Sequence, residues 1–209
     1  MDGNKARRSM VRSQLEARGI RNRRVLEAMS RVPRERFVLP ADYNIAYDDF
    51  PLPIGHHATI SQPYIVALMT EALDPAPDER ILEVGSGSGY QSAVLSEMGA
   101  TVYSIEIVEA LSRRARKLLQ ELGYHASFRI GDGHMGWPEA SPFAGIMVTA
   151  APEKIPATLV AQLAPGGRMV LPLGGNAQEL LLLQDTPSGL QETPLTAVRF
   201  VPMLGEPPP

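Results

Sequence analysis

The 209-residue sequence predicts an α/β fold: a doubly wound, mostly parallel sheet with antiparallel strands at the C-terminal end and a helical extension in front. Three observations lead there. From Arg80 onward, short apolar runs alternate with helical patterns, as in parallel strands joined by helical crossovers. The first run ends in a glycine-rich turn, Gly85-Ser86-Gly87-Ser88-Gly89. The opening residues up to Val32 carry helical periodicity and no such runs.

The elements follow in order. Val11, Leu15, Val25, Leu26 and Met29 recur at roughly helical spacing until Val32-Pro33, where the proline disfavours helix in the residue before it. Arg7, Arg8, Arg12, Arg18, Arg21, Arg23 and Arg24 interleave with them and read as a solvated face. Arg34 to Gly55 is punctuated by prolines and reads as loop. Thr59-Ile60-Ser61-Gln62-Pro63 leads into a helix whose apolar positions are 65, 68, 69, 72 and 73; a hydroxyl followed closely by proline is a helix-start signal. Strands are expected at Ile81–Val84, Thr101–Ile105, Phe128–Ile130, Ile146–Thr149, Met169–Leu173, Glu179–Gln184 and Val198–Val201. Between them, helices are expected from Tyr90 to about Met98, along Val108 to Leu122, and from Pro156 to just before Gly166-Gly167. One domain, 1–209, results, with a helical and loop region over 1–79 and the sheet core over 80–209.

Composition narrows the chemistry. With 44% hydrophobic and 21% charged residues the chain is ordinary for a globular protein. No cysteine is present, which excludes disulfides, thiolate metal sites and a cysteine nucleophile. The formal net charge of -3 supplies no positive field for nucleic acid. No apolar stretch resembles a signal peptide or reaches the roughly 20 residues of a membrane helix. A cytoplasmic monomer without nucleic-acid or membrane partners is the expectation. His56, His57, His125 and His134 show no zinc spacing, so no metal is expected. Trp137 reads as a packed loop aromatic.

The strongest chemical signal is the glycine-rich turn after the first core strand. Glycines let the backbone turn sharply and approach a ligand that a Cβ would block, and ligands of open α/β sheets bind at the carboxyl ends of the strands. Glu106 stands just past the second strand, where a carboxylate can accept both ribose hydroxyls of an adenosine. Asp132 stands past the third, placed to reach the adenine. The turn reads G-x-G-x-G rather than the dinucleotide G-x-G-x-x-G, and Glu83 precedes it by two residues. A carboxylate there repels pyrophosphate and suits a ligand with an ammonium group. S-adenosylmethionine, with an ammonium, a sulfonium and no phosphate, fits better than NAD.

The segment Ile81 to Glu106 resembles the first motif of class I, Rossmann-like methyltransferases. Further segments narrow the resemblance to the protein-L-isoaspartate O-methyltransferases: Met10–Leu15, Val32–Phe37, Thr59–Pro63, Gly131-Asp132-Gly133, Thr149–Pro152 and Leu163–Arg168. The similarity covers about residues 9 to 204, and Thr-Ile-Ser-Gln-Pro is its most specific part. It implies that Ser61 is the catalytic residue and that Thr59 and Ile60 belong to the loop closing over the cofactor. With the turn, it gives Glu83, Gly85, Ser86, Gly87, Gly89, Glu106, Asp132 and Gly133 as the remaining cofactor contacts. The implied reaction moves a methyl group from S-adenosylmethionine to the free carboxyl of L-isoaspartyl, and possibly D-aspartyl, residues in damaged proteins and peptides, leaving S-adenosylhomocysteine. Methylation lets the succinimide form again, and part of it reopens to normal aspartate.

Two positions depart from the family pattern. His57-Ala58 stands where Gly-Gln is frequent, which alters the loop meeting cofactor and substrate. Ala144 stands where Pro-Phe is usually followed by Asp, removing an acid expected near the crevice. The competing enzyme is a class I methyltransferase acting on another carboxylate in a peptide. A non-catalytic cofactor-binding relative would have lost Ser61 or the glycines, and neither is lost.

Overall fold

Helix formation starts at once in the computed structural model, which describes residues 3–206; residues 1–2 and 207–209 of the expected domain lie outside the described residues. Helix α1 (Gly3–Met10) runs on as a π turn (Val11–Leu15) and a 3-10 turn (Glu16–Arg18), closed by Gly19 at φ 101°. Asn22 caps α2 (Arg23–Arg31), its side chain accepting from the amides of Arg24 and Val25. That helix stops at extended Val32, before Pro33. The early arginines are mostly exposed, as their spacing suggests, except Arg7. Arg7 is buried, donating to Tyr47 Oη at 3.0 Å and to the Arg31 carbonyl at 2.7 Å.

The stretch read as loop contains more order than its prolines suggest. Two 3-10 turns (Arg34–Phe37, Pro40–Ile45) precede a hairpin of β1 (Leu52–Gly55) and β2 (Ala58–Ile60). Strands of four and three residues are too short to show alternation against a background of prolines. Helix α3 (Pro63–Leu73) begins with proline at its first turn and ends at Asp74 in the left-handed region.

The core continues as β3 (Arg80–Val84), α4 (Tyr90–Glu97), β4 (Thr101–Glu106), α5 (Glu109–Leu122), β5 (Ala126–Ile130), β6 (Phe143–Val148), α6 (Ala157–Val160), β7 (Leu163–Leu173), β8 (Gln178–Thr186) and β9 (Gly189–Val198). The sheet order is β5-β4-β3-β6-β7-β8-β9, parallel through β7 and antiparallel beyond it. Two expectations need correction. The helix at Pro156 lasts only four residues, because β7 starts at Leu163 and runs through a register shift past Gly166-Gly167. The last strand is Gly189–Val198 rather than Val198–Val201, because a tight turn at Gly189 sends the chain straight back along β8.

Both faces of β3 are buried, and alternation sorts them. Leu82 and Val84 join one core layer with Ile146, Met169 and Leu159. Ile81 joins the opposite layer with Met69, Leu95 and Val102, and Glu83 shares that face by parity. A third cluster ties the N-terminal helices to the core, with Met29 and Phe37 packed beside Tyr90. Trp137 packs edge-on to Tyr103 at 5.4 Å, as a packed loop aromatic should.

Candidate active site

The sheet's order reverses between β3 and β6, so a crevice opens where their carboxyl ends part. A cavity of about 650 Å³ occupies it, within the range of small-molecule sites. It is lined by the glycine-rich turn, the ends of β3, β4 and β6, the hairpin, the start of α3 and residues 197–204. The turn needs its glycines for different reasons. Gly85 and Gly87 have φ of 98° and 50°, a region that L side chains rarely adopt. A Cβ on Gly85 would strike the Thr149 hydroxyl. A Cβ on Gly87 would meet only Ile54 Cδ1 at 3.4 Å and otherwise project into open space beside the cavity.

Gly89 does not line the cavity. A Cβ there would lie 2.8 Å from Leu119 Cδ1 and 3.0 Å from Ala115 Cβ, so this glycine lets α4 begin against α5. Asp132 is also absent from the lining. It accepts the amides of His134 and Glu206, each at 2.9 Å, and holds the C-terminal tail. Burial opposes ionisation there, but these amides and the His134 ring outweigh it and hold the Asp132 carboxyl below its ordinary range.

Glu106 is buried at the end of β4 with both oxygens anchored. Oε2 accepts the Gly87 amide at 2.8 Å and Oε1 the Val108 amide at 2.9 Å. Each oxygen keeps a second lone pair, which suits a diol. Glu83 is fully buried below the turn. Its Oε2 accepts from Ser92 and, at 2.6 Å, from Ser104. Ser104 has spent its proton on Glu83, so Ser86, 2.6 Å away, donates to Ser104. The Oε1 atom of Glu83 has no partner. Burial pushes its pKa up to about 7; the Ser104 and Ser92 hydroxyls pull it back, and the Glu106 charge raises it further.

These observations fit an adenosine ligand with an ammonium group: a backbone cradle at Gly87, anchored carboxylate lone pairs at Glu106, and a free buried acceptor at Glu83. Ser86 and Gly133 line the same space, as do Thr59 and Ile60 of the hairpin.

Ser61 lines the cavity, half-buried, at the entrance to α3. Its hydroxyl makes no hydrogen bond among the described residues. The capping residue of α3 is Gln62, and Asp49 accepts the Tyr64 amide at 3.3 Å. Ser61 is thus no cap, and that amide is not free for a substrate. Two further parts of the lining take their roles only from the structure. Thr149 donates toward the Val84 and Gly85 carbonyls, at 3.0 and 2.6 Å. Residues 199–204 cross from β9 to β6, held by Ala151 to Val201 at 2.8 Å and Met203 to Ala151 at 2.9 Å. The only signal for that crossing is Pro202, which cannot continue a ladder. Ala144 lies at the amino end of β6, away from the crevice, so its departure does not touch the site.

An open sheet with a glycine-rich turn, a ribose-type carboxylate and no pyrophosphate cradle defines a class I methyltransferase fold. Two solved structures share it over 95% of this chain. One, a protein-L-isoaspartate O-methyltransferase, has a TM-score of 0.84 at 29% identity, and this chain spans 66% of it. The other, a Plasmodium falciparum protein-L-isoaspartate O-methyltransferase bound to S-adenosyl-L-homocysteine, has 0.82 at 25% identity and is 98% covered. Residues 5–207 match the family model of protein-L-isoaspartate(D-aspartate) O-methyltransferases. Gloeobacter violaceus protein-L-isoaspartate O-methyltransferase is 52% identical over 95% of this chain and 98% of its own length. Protein-L-isoaspartate O-methyltransferase 1 of Syntrophobacter fumaroxidans is 53% identical over 97% and 95%. The chain belongs to the protein-L-isoaspartate O-methyltransferase family.

Proposed function

We propose that this chain methylates the free carboxyl of L-isoaspartyl, and also D-aspartyl, residues in damaged proteins and peptides, as a single domain in the cytoplasm. Among the described residues no helix is long and apolar enough to cross a membrane. Family membership supports the reaction, and the observation that carries it in the fold is Ser61: an unpartnered hydroxyl on the wall shared with Glu83 and Glu106. S-adenosylmethionine supplies an electrophilic methyl that the carboxylate oxygen takes as the carbon–sulfur bond breaks and sulfur keeps the electron pair. A carboxylate with an ordinary pKa of about 4 is already ionised at neutral pH. No residue has to remove a proton, so the chain's work is to align the oxygen and exclude water. Ser61 donates a hydrogen bond to the carboxylate and fixes its approach. Glu106 and Gly87 hold the ribose, and Glu83 receives the ammonium.

A second reading, another carboxylate in a peptide, rests on the hairpin tip. His56 and His57 form its two-residue turn with φ of 54° and 59°, and both line the cavity. Radiolabelled methyl transfer to an isoaspartyl peptide and its aspartyl twin separates the two readings: the first requires the isoaspartyl form to be strongly preferred. Ser61→Ala tests the residue. Turnover should fall about tenfold or more, equivalent to about 1.4 kcal/mol of barrier, while melting temperature and cofactor affinity hold. Normal turnover in a folded Ser61→Ala would remove the serine from the mechanism.

A further inference from the structure

Among the described residues, thirty-five line the cavity, and Arg199 is the only lysine or arginine of these. It is exposed and has no hydrogen bond or ion pair among the described residues. Elsewhere the basic side chains that approach carboxylates are engaged, as Arg18 is with Asp49, Arg31 with Glu97 and Arg129 with Glu139. The backbone on its C-terminal side is pinned. The Phe200 amide donates to Gln178 Oε1 at 2.6 Å, the Phe200 carbonyl accepts from Gln178 Nε2 at 3.1 Å, and the Val201 carbonyl accepts from Ala151. A free guanidinium therefore stands on a fixed backbone at the cavity wall.

We propose that Arg199 is a specificity-determining residue that captures the ionised carboxylate of the acceptor before methyl transfer; this rests on the function proposed above. Charge is the first reason. The lining carries two acids, Glu83 and Glu106, and a chain of net charge -3 has no general attraction for an anionic substrate. A guanidinium matches a carboxylate in both charge and shape. Topology is the second. Glu106 marks the ribose end at β4, whereas Arg199 follows β9, at the opposite edge of the sheet order, and its chain returns along the end of β6. That assigns it to the acceptor rather than to the adenosine.

The chemistry fixes which kinetic constant should respond. Methyl transfer converts the carboxylate to a neutral ester, so the ion pair is strongest with substrate and fades toward the transition state. An interaction of that kind lowers KM without raising kcat. It also favours the anion over its neutral product.

The test is steady-state kinetics with an isoaspartyl peptide on the wild-type protein, Arg199→Gln and Arg199→Lys, with S-adenosylhomocysteine affinity by calorimetry. Arg199→Gln should raise KM about tenfold, the scale of one partly exposed charge-assisted pair, with kcat level or higher. Melting temperature and S-adenosylhomocysteine affinity should not change, and Arg199→Lys should recover part of the loss. A peptide amidated at the reactive carboxyl should inhibit wild type and Arg199→Gln equally. An unchanged KM in Arg199→Gln overturns the inference. So does a parallel loss of S-adenosylhomocysteine affinity, which would place the guanidinium on the cofactor's own carboxylate. A wild-type protein inactive on isoaspartyl peptides overturns the proposed function, and this inference with it.

Discussion

Glu83→Gln should stabilise the ligand-free protein at alkaline pH and leave it unchanged at acidic pH. Burial raises the Glu83 carboxyl from 4.5 to about 7, so the folded state holds this proton more tightly than the unfolded chain does. Its stability is complete below 4.5 and is lost as pH rises through about 7. The gap amounts to about 3 kcal/mol at pH values well above 7. Glutamine keeps the shape and the hydrogen-bonding capacity toward Ser92 and Ser104 without the buried charge. For a chain of this size about 3 kcal/mol corresponds to a rise in melting temperature of about 6–12 °C. Thermal melts of both proteins at about pH 4 and pH 8.5 should therefore coincide at the lower pH and separate at the higher. Calorimetry should show the opposite preference for ligand: Glu83→Gln loses affinity for S-adenosylhomocysteine by about tenfold, the scale of a charge-assisted hydrogen bond. A melting difference that is the same at both pH values would refute the raised carboxyl and the ammonium role built on it.

Glu106→Ala should weaken S-adenosylmethionine binding by roughly 2 kcal/mol, the range of a charge-assisted pair, with unchanged affinity in calorimetry removing it from the ribose site. Gly87→Val should lose binding, since its side chain enters open cavity space, and should also melt lower because its φ of 50° is strained for a β-branched residue; tight binding would displace the cofactor from the turn. Gly89→Ala should do the reverse, lowering the melting temperature through contacts with Leu119 and Ala115, and a normal melt would sink its packing role.

The sheet was legible where its signals are local. The turn at Gly85 to Gly89 and the acid at Glu106 sit at strand ends marked by apolar runs, so their convergence on one crevice follows from topology alone. Gly89 and Asp132 each stand at a strand or turn end, and the partners that the fold gives them, Leu119 and the Glu206 amide, are distant in sequence and so left no local signal. The hairpin of β1 and β2 was hidden by its length. The tail from Arg199 to Leu204 was hidden because its two hydrogen bonds to Ala151 are isolated bonds rather than a ladder, and such a crossing has no periodicity to read.

Unfinished bonding separates the working groups from the supporting ones. Buried polar groups are normally satisfied, so each exception asks for a reason. Glu106 is tied at both oxygens and acts as a fixed acceptor. The Oε1 atom of Glu83 is such a buried exception, and the half-buried Ser61 hydroxyl and the exposed Arg199 guanidinium, also without partners among the described residues, line the same cavity. Openness alone is not enough. Arg34 has both terminal nitrogens unpartnered, yet it is fully buried outside the cavity with its guanidinium 5.0 Å from the Tyr90 ring centre. Burial lowers its pKa to about 10, and its Nε donates to the Ala46 carbonyl at 2.7 Å, which ties it into the N-terminal layer. The three groups in the cavity differ from Arg34 in having somewhere to place a partner. An ammonium acceptor, a hydroxyl donor and a cation are together the set that a charged methyl donor and a carboxylate acceptor require.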